Sequence, residues 1–179
     1  MHHTLGLYGK HQHRIIHLYI HLARLTRIPV IGSVMRWAAN TYAKFGHSGY
    51  YLTLSEAEQI VDSAKSVSLG PCSCRAEFHK CEYPVMSEIV LENGSNEVYA
   101  SRAKEFHQIT SDEAKEILRE AHKKRLTHSI MHCGDHFYAI CNCCNCCCVP
   151  TRLKLQFGVG KALLRNPNVV KEFQQRQLK

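Results

Sequence analysis

The sequence predicts an α+β fold, mainly helical with a small antiparallel sheet or hairpin, organised around a cysteine-bound centre. Three observations predict it. Helical periodicity runs through both ends of the chain and through two capped segments between them. Two apolar runs, LTHSIMHC and HFYAIC, flank Gly134-Asp135 as the arms of a hairpin would. The stretch from Cys141 to Cys148 reads CNCCNCCC and places six of the ten cysteines inside eight residues. An apolar core has no use for that density, because alanine or valine fills the same space without an oxidisable thiol. A soft metal centre held by thiolates does.

Three regions follow from composition: a basic amphipathic helical segment over 1–49, a cysteine-rich domain over 50–150, and a basic helical tail over 151–179. His2, His3, His11 and His13 open the chain, either as a polar end or as a site for nickel, copper or zinc. The row from Arg14 to Arg27 reads as a helix with Arg14, His17, His21 and Arg24 on one face. Pro29 starts a second helix that Gly46 ends. The first 55 residues hold no Asp or Glu, although the chain has 15 carboxylates. This cationic leader packs on the core, docks on a membrane surface or an acidic partner, or targets an organelle.

Tyr50 to Leu54 is a strand candidate, and Ser55 with Glu58 is expected to form the capping box of the helix SEAEQIVDSAKSV. Thr110 and Glu113 cap the later helix SDEAKEILREAHKKR in the same way. That helix leads towards Cys133 much as the first leads towards Cys72, an echo that fits the common helix-then-loop pattern more readily than an internal duplication. Gly70-Pro71 breaks the chain before Cys72, Cys74 and Cys81; Pro84 is expected to open a short helix to Leu91, and ENGSN to form a turn. The tail should be helical in two pieces parted at Asn166-Pro167.

The net charge of +8 attracts an acidic protein, an anionic membrane or nucleic acid, without choosing among them. No cleavable signal is evident, and adjacent cysteines are poor material for a disulfide framework. The expected compartment is therefore reducing and cytoplasmic, with the inner face of the membrane as a peripheral alternative. No run of the sequence approaches the roughly 20 apolar residues of a spanning helix.

If the run from Cys141 to Cys148 were helical, Cys141, Cys144 and Cys148 would share one side, and Cys143, Cys146 and Cys147 the other. Each set would then take a fourth ligand from Cys72, Cys74 or Cys81. A looped backbone would sort the sulfurs differently, but the supply suffices for two four-thiolate centres either way. Two [4Fe-4S] clusters are favoured over zinc, whose structural sites usually show two separated Cys-x-x-Cys pairs. Arg75 beside Cys74 would either offset cluster charge or stand as an ordinary exposed arginine. His79 near Cys81 would donate a hydrogen bond or replace a thiolate, and Cys133 reads as a structural thiol.

The order CSCR, His79-x-Cys81 with Tyr83-Pro84, the capped EAKEIL helix and then ICNCC continuing into CCC resembles a poorly characterised group of 4Fe-4S ferredoxin-like proteins of anaerobic bacteria and archaea. The resemblance covers roughly residues 50 to 150. It implies cubane clusters and low-potential electron transfer. Some relatives continue into a module of repeated Cys-x-x-Cys runs, which this chain does not show.

The expected function is an electron-transfer protein or redox subunit, without a catalytic residue and with an acidic redox partner. A second reading is an iron-sulfur enzyme with an open or non-cubane cluster acting on a sulfur-containing small molecule. A third is a zinc-stabilised nucleic-acid binder. It is disfavoured because the helix after Thr110 mixes Asp112, Glu113, Glu116 and Glu120 with its bases. GVGK at Gly158 to Lys161 lacks the spacing of a phosphate-binding loop.

Overall fold

A computed structural model describes residues 2–91, 102–134 and 136–177. Its centre is a seven-stranded sheet in the order β4-β2-β3-β6-β5-β1-β7. The strands are β1 (His47–Leu52), β2 (Val67–Pro71), β3 (Met86–Leu91), β4 (His107–Ile109), β5 (Thr127–Cys133), β6 (His136–Cys143) and β7 (Leu163–Arg165). Every pairing is antiparallel except that of β1 with β7. The sequence-based expectation of only a small antiparallel sheet or hairpin is therefore overturned by a seven-stranded mixed sheet, although a mainly helical α+β chain holds. The reason lies in burial. Strand β3, expected as a helix from Pro84, is buried along its last five residues, so Ser87 and Glu88 are followed by three consecutive apolar residues and no period of two appears. Strand β2 follows a helix so closely that it reads as its continuation, and β4 and β7 have three residues each.

Seven α-helices accompany the sheet among the described residues: α1 (His2–Arg24), α2 (Ile31–Phe45), α3 (Leu54–Ser63), α4 (Ser73–Phe78), α5 (Ser111–Lys123), α6 (Val149–Phe157) and α7 (Val169–Gln177). Helices α3, α5 and α7 bury Ile60, Leu118 and Phe173 against Ile89, Ile130 and Ile140 of the sheet. On the other side, Ile16 and Ile20 of α1 pack with Val149 and Phe157 of α6. The expected break at Pro29 and the stop at Gly46 bound α2 as the sequence indicates. Helix α1 starts well before Arg14 and is interrupted at His11, where the backbone leaves helical geometry. The tail is not wholly helical, since β7 joins the sheet beside β1. The turn expected at ENGSN and the Asp135 half of the hairpin turn lie outside the described residues.

The capping box of α5 is formed by Thr110 and Glu113 as expected. That of α3 is formed by Thr53 and Glu56, two residues earlier than the sequence reading placed it. Glu58 instead pairs with Arg119 at 2.7 Å.

The two capped helices belong to two similar units. The order β1-α3-β2-β3 is repeated as β4-α5-β5-β6, and exchanging the units reverses the six-strand order onto itself. Ala57, Ile60 and Val61 of α3, with Ala64 at its C-cap, stand where Ala114, Ile117, Leu118 and Ala121 stand in α5. The ion pairs Glu58–Arg119 and Asp62–Lys115 exchange under the same operation.

Candidate metal centre

Three strand ends converge at the cysteines. Pro71 at the end of β2 lies opposite Met86 at the start of β3, and Glu88 of β3 lies opposite Cys141 near the end of β6. The amide of Cys72 donates to the Val85 oxygen at 2.7 Å, which fixes the entrance to α4 at this edge. The cysteine run is not a helix. It is strand as far as Cys143, a turn at 145–147, and the N-cap of α6 at Cys148. The two-sided helical sorting of the run is therefore replaced by another.

Strand alternation puts Cys141 and Cys143 on one face and Asn142 on the opposite one. The turn sends Cys144, Cys146 and Cys147 to a separate place, where they meet Cys81. These four sulfurs all lie within 4.8 Å of one another. Cys81 is 3.7 Å from both Cys144 and Cys147. Two backbone amides point at sulfurs: Lys80 donates to Cys147 at 3.3 Å, and Cys147 donates to Cys144 at 3.3 Å. Burial pushes the Cys144 thiol up, but hydrogen bonds from the Cys146 thiol and from the Cys147 and Cys148 amides outweigh it and bring the pKa down to about 7. Cys144 is thus partly thiolate near neutral pH, the form that ligates metal.

The other five predicted ligands, Cys72, Cys74, Cys141, Cys143 and Cys148, share the floor of a cavity of about 440 Å³. Cys148 is hydrogen-bonded to Cys143 and Cys74, which holds its pKa well below that of an ordinary thiol, while the partner thiols are raised. Burial raises Cys72, with the nearby charge of Cys141 adding to it. Cys74 accepts from the Val149 amide at 3.5 Å, and Ser129 contacts Cys143 at 3.3 Å. Glu88, at the same cavity, is raised to about 6 by burial against the pull of Arg102 at 3.7 Å.

Arg75 lies among both groups. It is 2% exposed and donates to the backbone oxygens of Pro84 and Asn142. Burial opposes its charge, but the sulfurs of Cys72, Cys144, Cys143 and Cys81 prevail and hold the guanidinium protonated more firmly. Asn142 is fixed from behind by His128 at 2.7 Å and by the Ser87 oxygen at 3.0 Å. His79 is exposed, ends α4 in a left-handed conformation and is not part of the four-sulfur group. Cys133, at the far end of β5, stands outside both groups.

Arg152 was not legible in the sequence, where it is one of seven cations in the tail. It is 6% exposed and stacks on Phe78, which packs against the cluster that contains Cys144 and Cys147. Its Nε and Nη1, like the Nε of Arg75, have no hydrogen-bond partner among the described residues. Two buried cations with unsatisfied donors, Arg75 among the sulfurs of Cys72, Cys144, Cys143 and Cys81 and Arg152 stacked on Phe78, fit an anionic metal–thiolate centre. The four-cysteine group has the donor set and compactness to bind a metal ion.

Comparison with known proteins found no matching family model, no matching curated protein and no matching solved structure.

Proposed function

We propose that the chain is an iron-sulfur protein that passes single electrons, with one centre held by Cys81, Cys144, Cys146 and Cys147 and a second by the group Cys72, Cys74, Cys141, Cys143 and Cys148. The observation that carries this reading is the gathering of nine cysteines into two adjoining groups around a buried arginine. A single structural zinc ion needs only four of them. Bound [4Fe-4S] clusters would supply low-potential one-electron chemistry. The protein's part is to hold the potential and limit access. Arg75 and Arg152 supply positive charge, and the amides of Lys80, Cys147 and Val149 direct N–H groups at sulfur, all of which favour the more negative, reduced state. Cys81 and Cys146 are half-buried while Cys144 and Cys147 are buried, so electrons would reach the first centre at the Cys81 edge. Exposed Lys80 at that edge suits an acidic redox partner.

One observation favours a second reading. Contacts of 3.7 Å between sulfurs match the edge of a tetrahedron around one ion, about 3.8 Å for bonds of about 2.3 Å. A zinc tetrathiolate at Cys81 is the consequence. The deciding experiment is anaerobic purification with iron, acid-labile sulfide and zinc counted per chain, and electron paramagnetic resonance before and after dithionite. About eight iron and eight sulfide with interacting reduced signals supports two clusters. Cys81→Ser and Cys74→Ser should each then lose one centre and keep the other. Stoichiometric zinc without sulfide overturns the iron-sulfur reading in favour of the zinc one.

A further inference from the structure

The exposed apolar side chains are concentrated in one place. Among the described residues, ten of the fifteen large hydrophobic side chains that stand exposed belong to α1, α2 and their connection. Val30 at the apex is 89% exposed, Trp37 71%, Phe45 70% and Val34 62%. Leu18 and Leu22 continue the surface along α1, one helical turn apart. On α2, Ile31, Val34, Ala38 and Phe45 recur at helical spacing, opposite the buried Ala43. The hairpin is firmly built: the Tyr19 and Tyr42 hydroxyls meet at 2.7 Å, and a Cβ on Gly32 would lie 2.2 Å from the Thr26 oxygen, so only glycine admits this approach. Val30 holds φ +66, a costly conformation for a β-branched residue, and it does so with its side chain almost wholly in solvent.

The same segment carries exposed Lys10, Arg14, Arg24, Arg27, Arg36 and Lys44, and no acidic residue occurs before Glu56. We propose that the α1–α2 hairpin is a docking element that lies on an anionic lipid surface, with Val30, Val34, Trp37 and Phe45 entering the headgroup region and the flanking cations meeting phosphate. The charge selects this occupant. A second copy seated face to face would set the same cations against each other, whereas anionic lipid is complementary to them. Among the described residues no helix is long and apolar enough to cross a membrane, so the hairpin lies along the surface. Tryptophan at the headgroup level is the usual anchor of such an element. The cavity floored by the second thiol group opens on this face, between Leu22, Ala38 and Tyr42, so seating would also close its apolar mouth.

Trp37 is the only tryptophan in the chain, so its emission reports the proposed contact directly. The full chain is mixed with vesicles of phosphatidylcholine alone and with about one third phosphatidylglycerol, and followed by flotation and by Trp37 emission. A blue shift and flotation are expected with the anionic vesicles and should weaken at high salt. Val34→Glu, and separately Arg24→Glu with Lys44→Glu, should each reduce binding by about tenfold or more while metal content and circular dichroism stay as in the parent. All these side chains are exposed, so the variants keep the fold. Trp37 emission unchanged by either vesicle overturns the proposal, as does undiminished binding by Val34→Glu. Emission already blue-shifted without lipid, in a protein that sediments as a dimer, overturns it in favour of a second copy. None of these outcomes depends on which metal the cysteines hold.

Discussion

Arg75 offers the most direct test of how the cysteine groups are held. It donates two charge-assisted hydrogen bonds, to the oxygens of Pro84 and Asn142, and it is 2% exposed. Arg75→Met keeps the stem and removes both bonds. At about 1.5–3 kcal/mol each, the gross loss is about 3–6 kcal/mol, a large part of a typical stability of about 5–15 kcal/mol. Burying a guanidinium has its own cost, which the methionine relieves, so metal-free protein should fall at the lower end. Metal loading turns the surrounding thiols into thiolates. The sulfurs of Cys72, Cys144, Cys143 and Cys81 already stabilise the charged guanidinium against its burial, so the loss must be greater in loaded protein. Arg75→Lys retains the charge but cannot span both carbonyls, and should fall between. Urea unfolding of the three proteins under anaerobic conditions, with and without metal, measures all of this. A change below about 0.5 kcal/mol for Arg75→Met, or equal losses in both states, would refute the reasoning.

Three further outcomes are expected. Gly70→Ala would place a Cβ 2.1 Å from the Phe106 ring and should destabilise by about 1–3 kcal/mol in urea titrations, with partial recovery in a Phe106→Leu background. Thr53→Ala and Thr110→Ala should cost similar amounts, about 1 kcal/mol each, because both remove the same capping box; thermal melts compare them. Burial, aided by His132, lowers His47 from 6.5 to about 4. A depressed histidine gives stability that is complete above about pH 6.5 and is lost as the pH falls through about 4, a span of about 3 kcal/mol. Urea titrations across that window should show a shallower pH dependence for His47→Gln than for the parent, and parallel curves would count against it.

What the sequence disclosed follows from how local each signal is. The capping box at Thr110, the stop at Gly46 and the β5–β6 hairpin are written in a few adjacent residues, and the structure has them. The box at Thr53 was displaced because Ser55-Glu58 and Thr53-Glu56 have the same spacing; only the position of Leu52 at the strand end separates them. Strand β3 was lost because helices and loops cover both of its faces, which erases the alternation that marks a half-buried strand. Among the cysteines, the sequence marks Cys81, Cys144, Cys146 and Cys147 as candidates, but not that these four come together. Which sulfurs meet depends on the backbone leaving the sheet after Cys143, and on Cys81 reaching the turn from another element. Arg152 gave no signal because its surroundings come from α4, distant in sequence.

The duplication accounts for the one cysteine that stands apart, and it can be tested. In the first unit, β2 runs out into Cys72 and α4, a detour that carries Cys74 and Cys81 before β3 begins. In the second, the equivalent strand β5 ends on Cys133, and Gly134, at φ +54, turns almost at once towards β6. Cys133 thus occupies the place of Cys72, but the short turn admits no counterpart of α4, and the two positions lie at opposite ends of the antiparallel central strands. Cys133 packs instead with the apolar group of Met131, Tyr138 and Ala139, and burial raises its thiol. A raised thiol in apolar surroundings is a poor ligand and a slow nucleophile. Cys133→Ser should therefore leave the metal and sulfide content per chain unchanged and cost only the packing of one sulfur, about 1 kcal/mol. Loss of half the metal in this variant would mean that Cys133 reaches a centre through a different chain arrangement, and the two-unit description of the sheet would fall with it.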